Sequence, residues 1–138
     1  MPESFTVAVD VAVSQERAWE VVGAPCGVTQ WYPLYQSCEV LGDRRTLRRA
    51  DGVTLDERLN DRDDAARTYS YSVISGLPLR YHHARFTVEP APGGCRVVWE
   101  TTAEHRDPMI NMRERLADRQ AEALQGLKTL LEAVPSDS

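Results

Sequence analysis

Residues 107–134 read DPMINMRERLADRQAEALQGLKTLLEAV and carry the clearest helical pattern in the chain. Asp107 is a favourable N-cap, and Pro108 suits the first helical position because it has no N–H to leave unpaired. About 27 residues rising 1.5 Å each predict a helix of about 40 Å, whose apolar side must be buried against earlier segments. Apolar side chains recur at steps of three and four, interrupted only at Gln120: Met109, Met112, Leu116, Ala123, Leu127, Leu130 and Val134.

The length and charge of the chain limit its class. With 138 residues we predict one domain over residues 1–134 and a disordered tail over residues 135–138. The net charge of −5 disfavours nucleic acid and anionic membrane surfaces as partners. No apolar run is long enough to span a membrane, and the first residues lack the features of a signal peptide. We therefore predict a cytoplasmic protein, either a monomer or a homodimer.

No sequence motif indicates a cofactor or a metal. The three cysteines, Cys26, Cys38 and Cys95, are odd in number and lack CxxC spacing, which predicts reduced thiols and no metal site. A glycine-rich phosphate loop, HExxH and GxSxG are all missing from the sequence. Chemistry that needs only a shaped pocket and one or two acid–base groups stays open.

The residues before the long helix alternate in the manner of strands. A strand over residues 5–13 leads to Ser14, which caps a helix over residues 15–22, and a helical turn over 28–32 ends at Pro33. Short turns between the later strands predict an antiparallel meander. Those strands are predicted at residues 37–41, 45–49, 53–61, 67–74, 79–89 and 95–104.

Five segments carry a resemblance to a known family. They are the strand–Ser–helix opening at 9–19, Trp-Tyr-Pro at 31–33, the hairpin at 45–59, Tyr-Ser-Tyr at 69–71 and Val-Trp-Glu at 98–100. Together, over residues 7–131, they resemble the Bet v 1-like, START-type superfamily (SRPBCC), in particular its polyketide cyclase/dehydrase and lipid-transport branch. The resemblance implies an α+β helix-grip fold, in which a curved antiparallel sheet of about seven strands wraps around the long C-terminal helix. It also implies an internal cavity for a small hydrophobic or polyketide-like ligand.

The hairpin over residues 45–59 sets two charged side chains opposite each other. A type I turn with Gly52 in the left-handed conformation pairs Arg45 with Glu57 and places both on the face of Leu47 and Leu55. A two-residue turn would bring Arg48 to that face instead; we prefer the first register because it gathers the leucines. Arg45 and Glu57 then form a structural ion pair, contact a ligand, or lie on the outer face.

Alternation on the other strands gives the remaining candidates. The predicted interior is aromatic but also carries hydroxyls and an imidazole, which suits a ligand with several oxygens. Tyr69 and Tyr71 also fit ordinary core positions, His82 fits a hydrogen-bonded interior histidine, and Trp31 is either an entrance residue or a helix anchor. The predicted ligand-binding residues are Trp31, Tyr69, Phe86, Trp99, Thr101, Met112, Leu116 and Gln120.

Two classes of function fit these residues. As a cyclase or dehydratase of secondary metabolism, the protein would fold a reactive polycarbonyl intermediate and move protons. Glu57 or His82 would be the base, while Arg45 and Tyr71 would polarise a carbonyl or hold an enolate. As a carrier or sensor, it would bind a small hydrophobic molecule without reaction. A regulatory or chaperone-like role is a weaker third interpretation. The fold alone does not choose among these three functions.

Overall fold

The computed structural model describes residues 2–133 and contains one antiparallel sheet with three helices. The strand order is β1-β7-β6-β5-β4-β3-β2, so the first strand pairs with the last and the others follow as a meander. This is the helix-grip arrangement that the sequence predicts. The elements are β1 (Glu3–Val11), α1 (Gln15–Val22), α2 (Val28–Trp31), β2 (Tyr35–Leu41), β3 (Arg44–Arg49), β4 (Thr54–Asp63), β5 (Thr68–Ser75), β6 (Leu79–Ala91), β7 (Gly94–His105) and α3 (Met112–Glu132).

The long helix α3 begins later than the sequence predicts. Its N-cap is Asn111, whose side chain accepts a hydrogen bond from Glu114 N, and Glu3 accepts another from Met112 N. Asp107 instead accepts a hydrogen bond from Met109 N within the preceding turn. The predicted start at Asp107 was therefore wrong. Asp107 and Asn111, four positions apart, are both suitable caps, and the start at Asn111 is also stabilised by the hydrogen bond from Met112 N to Glu3 in β1. The predicted end at Val134 and the tail 135–138 lie outside the described residues.

The buried face of α3 differs in two respects from the predicted series. Met109 lies before the helix and is 88% exposed, so its assignment to the buried series was wrong. Leu124 and Leu131 are fully or almost fully buried, whereas Leu116 and Leu130 are only partly buried. This face packs against β1, β7 and α2. Burial at Met112, Gln120, Ala123, Leu124, Leu127 and Leu131 continues the same helical spacing from the true start.

Helix α3 approaches α2 closely at Gly126. A Cβ atom at this position would stand 2.7 Å from the carbonyl oxygen of Trp31. Glycine in a helix interior is usually unfavourable relative to alanine by about 0.5–1 kcal/mol. Here the close approach of the two backbones explains why position 126 is a glycine. The absence of a side chain lets the backbone of Trp31 lie directly against helix α3.

Two cysteines form a disulfide, contrary to the expected reduced thiols. Cys26, in the connection between α1 and α2, is bonded to Cys38 of β2, and Cys95 is a buried free thiol. The expectation was wrong because the two residues, 12 positions apart in sequence, become neighbours only when β2 lies beside that connection. Spacing alone does not reveal such a pair.

Candidate functional site

The β3–β4 hairpin presents Arg45 and Glu57 to the interior. Arg45 is paired with Glu57 and Leu47 with Leu55, the register preferred from the sequence. Gly52 has φ +89°, and Arg49 N donates to Val53 O at 2.8 Å, which closes the turn as expected. Arg45 and Glu57 are each only 2% exposed. The side chains therefore form a buried ion pair.

Arg45 is surrounded by acceptors. Its Nε donates to Glu57 Oε1 at 2.8 Å, and its Nη1 donates to Pro25 O at 2.7 Å and to Tyr69 OH at 3.2 Å. The guanidinium also stands 4.9 Å from the ring centre of Tyr71. A buried ion pair requires such additional hydrogen bonds to offset its desolvation. Arg45 is fully engaged by protein groups and is not exposed to a ligand.

Glu57 keeps one carboxylate oxygen away from this network. Both contacts with Arg45 use Oε1, and within residues 2–133 Oε2 accepts no hydrogen bond. Burial raises the pKa of Glu57, and the neighbouring guanidinium of Arg45 opposes that rise. Burial of Arg45 acts to lower its pKa, but Glu57, Tyr69 and Tyr71 together outweigh this, so the pKa is raised and the guanidinium stays charged. Glu57 is thus a buried carboxylate whose proton affinity is higher than usual.

An interior cavity of about 70 Å³ lies between the sheet and the first half of α3. Seven of the candidate site residues line it: Glu57, Tyr71, His82, Trp99, Met112, Leu116 and Gln120. Its other lining residues are Tyr32, Tyr35, Leu55, Val73, Leu77 and Leu79. The cavity therefore combines an apolar wall with a carboxylate, an imidazole, phenols and an amide.

The other five candidates lie in the packed core around the cavity. Trp31, which was an entrance candidate, is 3% exposed and packs edge-on against Phe86 and Trp99 at 5.8 Å. Thr101 Oγ1 donates to Gln120 Oε1 at 3.3 Å and so orients a lining residue. Tyr69 accepts from Arg45. These five residues therefore pack against the residues that line the cavity and do not line it themselves: Trp31, Phe86, Thr101, Tyr69 and Arg45.

Sequence reasoning missed Tyr35, Leu77 and Leu79 as lining residues. Tyr35 begins β2, which was predicted to start at residue 37, and a register irregularity separates Tyr35 from Ser37. Strict alternation therefore could not place its ring inside. The sequence signal that could have indicated Tyr35 is the group of aromatic residues on both sides of Pro33. In the structure, Tyr32 and Tyr35 contact each other edge-on at 5.0 Å.

His82 is a neutral hydrogen-bond donor in this cavity. Its Nδ1 accepts a hydrogen bond from Val73 N at 3.1 Å, which places the ring proton on Nε2. Burial lowers the pKa of His82 to about 4, and the nearby His83 adds to the effect. A neutral imidazole whose free nitrogen carries the proton cannot accept another there. This geometry favours donation by His82 over its alternative role as the base.

Tyr71 is also held as a donor. Its hydroxyl accepts a hydrogen bond from Trp99 Nε1 at 3.1 Å, which leaves its own proton for a ligand. Burial raises the pKa of Tyr71 well above its usual value, and the charge of Glu57 acts in the same direction. The ring centres of Tyr71 and His82 are 5.6 Å apart, so the two side chains are neighbours in the cavity wall.

A second pocket of about 180 Å³ adjoins the interior cavity. The two share Leu77, Leu79, Met112 and Leu116, so these side chains separate the cavity from the opening. The outer pocket also includes Arg49, Arg115, Arg119 and His105, together with Pro78. The short connection before β6 and the start of α3 therefore form the entrance.

Residues 2–132 match the family described as polyketide cyclase / dehydrase and lipid transport. The chain belongs to that family. Family membership and the Bet v 1-like fold together support a protein that binds a hydrophobic ligand. A comparison with curated protein sequences finds no significant match.

Solved structures of low sequence identity share the fold of this polyketide cyclase/dehydrase family member. XoxI from Bacillus cereus has a TM-score of 0.86 at 22% identity, covering 94% of this chain and 96% of that chain. Norcoclaurine synthase from Thalictrum flavum, a point mutant with a transition-state analogue, has a TM-score of 0.72 at 17% identity, with 95% and 94% covered. Ara h 8.0201 has a TM-score of 0.76 at 16% identity, with 97% and 100% covered. None of the helices in the described part of the chain is long and apolar enough to cross a membrane.

Proposed function

We propose that this protein is a cofactor-independent cyclase or dehydratase, which binds a small hydrophobic carbonyl compound in the interior cavity and moves protons on it. The observation that carries the proposal is Glu57: a buried carboxylate with a raised pKa and an oxygen, Oε2, unoccupied by the ion pair. It shares the cavity with two neutral donors, Tyr71 and His82. A base beside hydrogen-bond donors is the arrangement that enolisation requires.

In the proposed reaction Glu57 removes a proton from the carbon next to a carbonyl group. The electron pair left on carbon moves onto the carbonyl oxygen, which receives hydrogen bonds from Tyr71 Oη and His82 Nε2. In a dehydration, the carbonyl group then re-forms, the electron pair makes a carbon–carbon double bond, the C–O bond of the hydroxyl on the next carbon breaks, and Glu57 returns its proton to that hydroxyl so that water leaves. Arg45 does not touch the substrate; it holds Glu57 in place and keeps it ionised until the proton arrives. Such a base contributes about 10²–10⁴-fold in rate.

The size of the cavity limits the substrate. Ligand pockets commonly measure about 300–1,000 Å³, whereas the interior cavity measures about 70 Å³ and its entrance about 180 Å³. The side chains of Met112 and Leu116, which line both spaces, must therefore rearrange on binding. Methionine is suited to this because its side chain is unbranched and flexible.

The test uses 2-tetralone, a bicyclic ketone whose C1 protons exchange for deuterium in D₂O. We expect the wild-type protein to accelerate this exchange and Glu57→Gln to lose about 10²–10⁴-fold of the acceleration. Tyr71→Phe, which strands no charge, should lose about ten-fold. Glu39→Gln is the matched control, because it removes one carboxylate from an exposed position on β2. Acceleration that survives in Glu57→Gln would exclude Glu57 as the base.

A non-catalytic carrier is the second candidate. The observation that favours it is the complete engagement of Arg45 by Glu57, Pro25 and Tyr69, which is sufficient to explain the pair as structure. A carrier should bind 2-tetralone, detected by a shift of the Trp99 indole N–H signal in NMR spectra, without accelerating exchange. In that case the enzymatic proposal fails and the binding function stands. A cytoplasmic location stays a prediction, and the Cys26–Cys38 disulfide argues against it.

A further inference from the structure

A separate pocket of about 420 Å³ opens on the surface between α3 and the α2–β2 connection. We name it the Trp31 groove. It is lined by Trp31, Tyr32, Pro33, Leu34, Arg49, Arg119, Glu122, Ala123 and Gly126. The groove shares Tyr32 with the interior cavity, and Arg49 and Arg119 with the entrance pocket, so it borders both spaces but has its own walls.

Two buried donors without partners belong to this groove. Within residues 2–133, the buried side-chain nitrogen or oxygen atoms that lack a hydrogen-bond partner are Trp31 Nε1 and Arg49 Nε. Both atoms are N–H donors, and both residues line the groove. Buried polar groups in native proteins are nearly always hydrogen-bonded, so a pair of unsatisfied donors at one place indicates a missing acceptor.

The charges of the groove favour an acceptor that is an anion. Arg119 forms no ion pair with any described residue, and Arg49 uses Nη2 for Asp51 at the hairpin tip, which leaves Nε. Glu122 is the only acidic lining residue. Because Asp51 neutralises Arg49, Arg119 is the lining guanidinium that has no carboxylate partner among the described residues. One unpaired guanidinium suits a monoanion better than a dianion.

The walls of the groove favour an apolar body. Trp31 and Tyr32 stack at 6.2 Å with 20° between their planes, and Pro33, Leu34 and Ala123 extend this surface. We infer that the Trp31 groove binds a small carboxylate with an aromatic or aliphatic body, a second ligand site beyond the cavity of the proposed function. Its carboxylate oxygens accept hydrogen bonds from Arg119 and Arg49 Nε. Trp31, whose Nε1 is the other unsatisfied donor, lies in the wall of the same groove.

The three tryptophans provide separate NMR reporters for the test. Trp19 Nε1 donates to Asp64 at 3.1 Å, Trp99 Nε1 donates to Tyr71 in the interior cavity, and Trp31 Nε1 has no partner among the described residues. The probe is 2-naphthoate, with the neutral 2-naphthamide of the same shape for comparison. Trp31→Phe assigns the Trp31 indole signal. We expect 2-naphthoate to shift that signal most and to show nuclear Overhauser contacts with its proton, and 2-naphthamide to bind about ten-fold more weakly.

Variants then separate the charges. Arg119→Gln should weaken 2-naphthoate about ten-fold and leave 2-naphthamide unchanged, whereas Glu122→Gln should strengthen 2-naphthoate. Arg58→Gln, at an exposed position on β4, removes the same charge elsewhere and should change neither. Equal affinity for the two probes, or contacts with Trp99 in place of Trp31, would overturn the inference. Glu122 lines the groove but neither the interior cavity nor its entrance, so Glu122→Gln should leave the exchange of 2-tetralone, which depends on Glu57, unchanged, and either proposal can fail without the other.

Discussion

The carbonyl oxygen of Pro25 accepts a hydrogen bond from Arg45 Nη1 at 2.7 Å. Pro25 precedes Cys26, whose disulfide to Cys38 joins the α1–α2 connection to β2. Cys38 in turn is paired with Leu47 of β3, two residues from Arg45. The disulfide therefore holds the carbonyl oxygen of Pro25 beside the buried guanidinium of Arg45. The covalent link and the buried ion pair stabilise the same part of the fold.

We expect the double substitution Cys26→Ser and Cys38→Ser to lower the free energy of unfolding by roughly 3 kcal/mol. The estimate comes from the loop-closure entropy of about a dozen residues. Urea denaturation at neutral pH measures it. Adding a reductant should destabilise the wild type by a similar amount and leave the double variant unchanged. A double variant as stable as the wild type would show that the connection is held by its other contacts.

We expect Arg45→Leu to destabilise the protein by about 3–5 kcal/mol at neutral pH, because it leaves the carboxylate of Glu57 buried without its partner. Adding Glu57→Leu to the same chain should recover much of the loss, since a pair of apolar side chains strands no charge. Chemical denaturation of the two single variants and the double variant gives the coupling. Arg96→Leu is the control, because Arg96 pairs with Asp10 on the surface and its removal should matter far less. Additive losses would contradict a coupled pair.

The hairpin shows what the sequence alone can predict. Gly52, the leucines at 47 and 55 and the charges at 45 and 57 all favour one register, so local turn chemistry and burial agree. The long helix was predictable in existence but not in its start, because Asp107 and Asn111 are both good caps. Choosing between them required the contact of Met112 N with Glu3, far away in sequence.

The site was less predictable than the fold. Alternation places Tyr71, His82 and Trp99 on the inner face, and the structure finds them there. It cannot say which inward side chains border empty space and which are packed, as the burial of Phe86 and Trp31 shows. It also cannot show that His82 Nδ1 is occupied by Val73 N, because that contact depends on how β5 and β6 separate at this point.

We expect the neutral state of His82 to make stability depend on pH. The pKa of His82 is lowered from 6.5 to about 4 by burial, so between these values the unfolded chain binds a proton that the folded protein does not. The contribution of neutral His82 to the free energy of unfolding is therefore complete above about pH 6.5 and is lost as the pH falls towards 4. The full loss is about 3 kcal/mol.

Denaturation in urea between pH 4.5 and 7.5 measures this effect as a difference between the wild type and His82→Asn, whose amide oxygen can still accept from Val73 N. Carboxylates with lowered pKa, such as those of Asp10 and Glu132, also lose stability in acid, but they act equally in both proteins. We expect the wild type to lose more stability than the variant as the pH falls. His83→Asn, on the outer face, removes only the smaller cause of the lowered pKa of His82, so this variant should lose nearly as much stability as the wild type when the pH falls. Parallel curves for the wild type and His82→Asn would mean that His82 titrates normally, and it could then serve as a base.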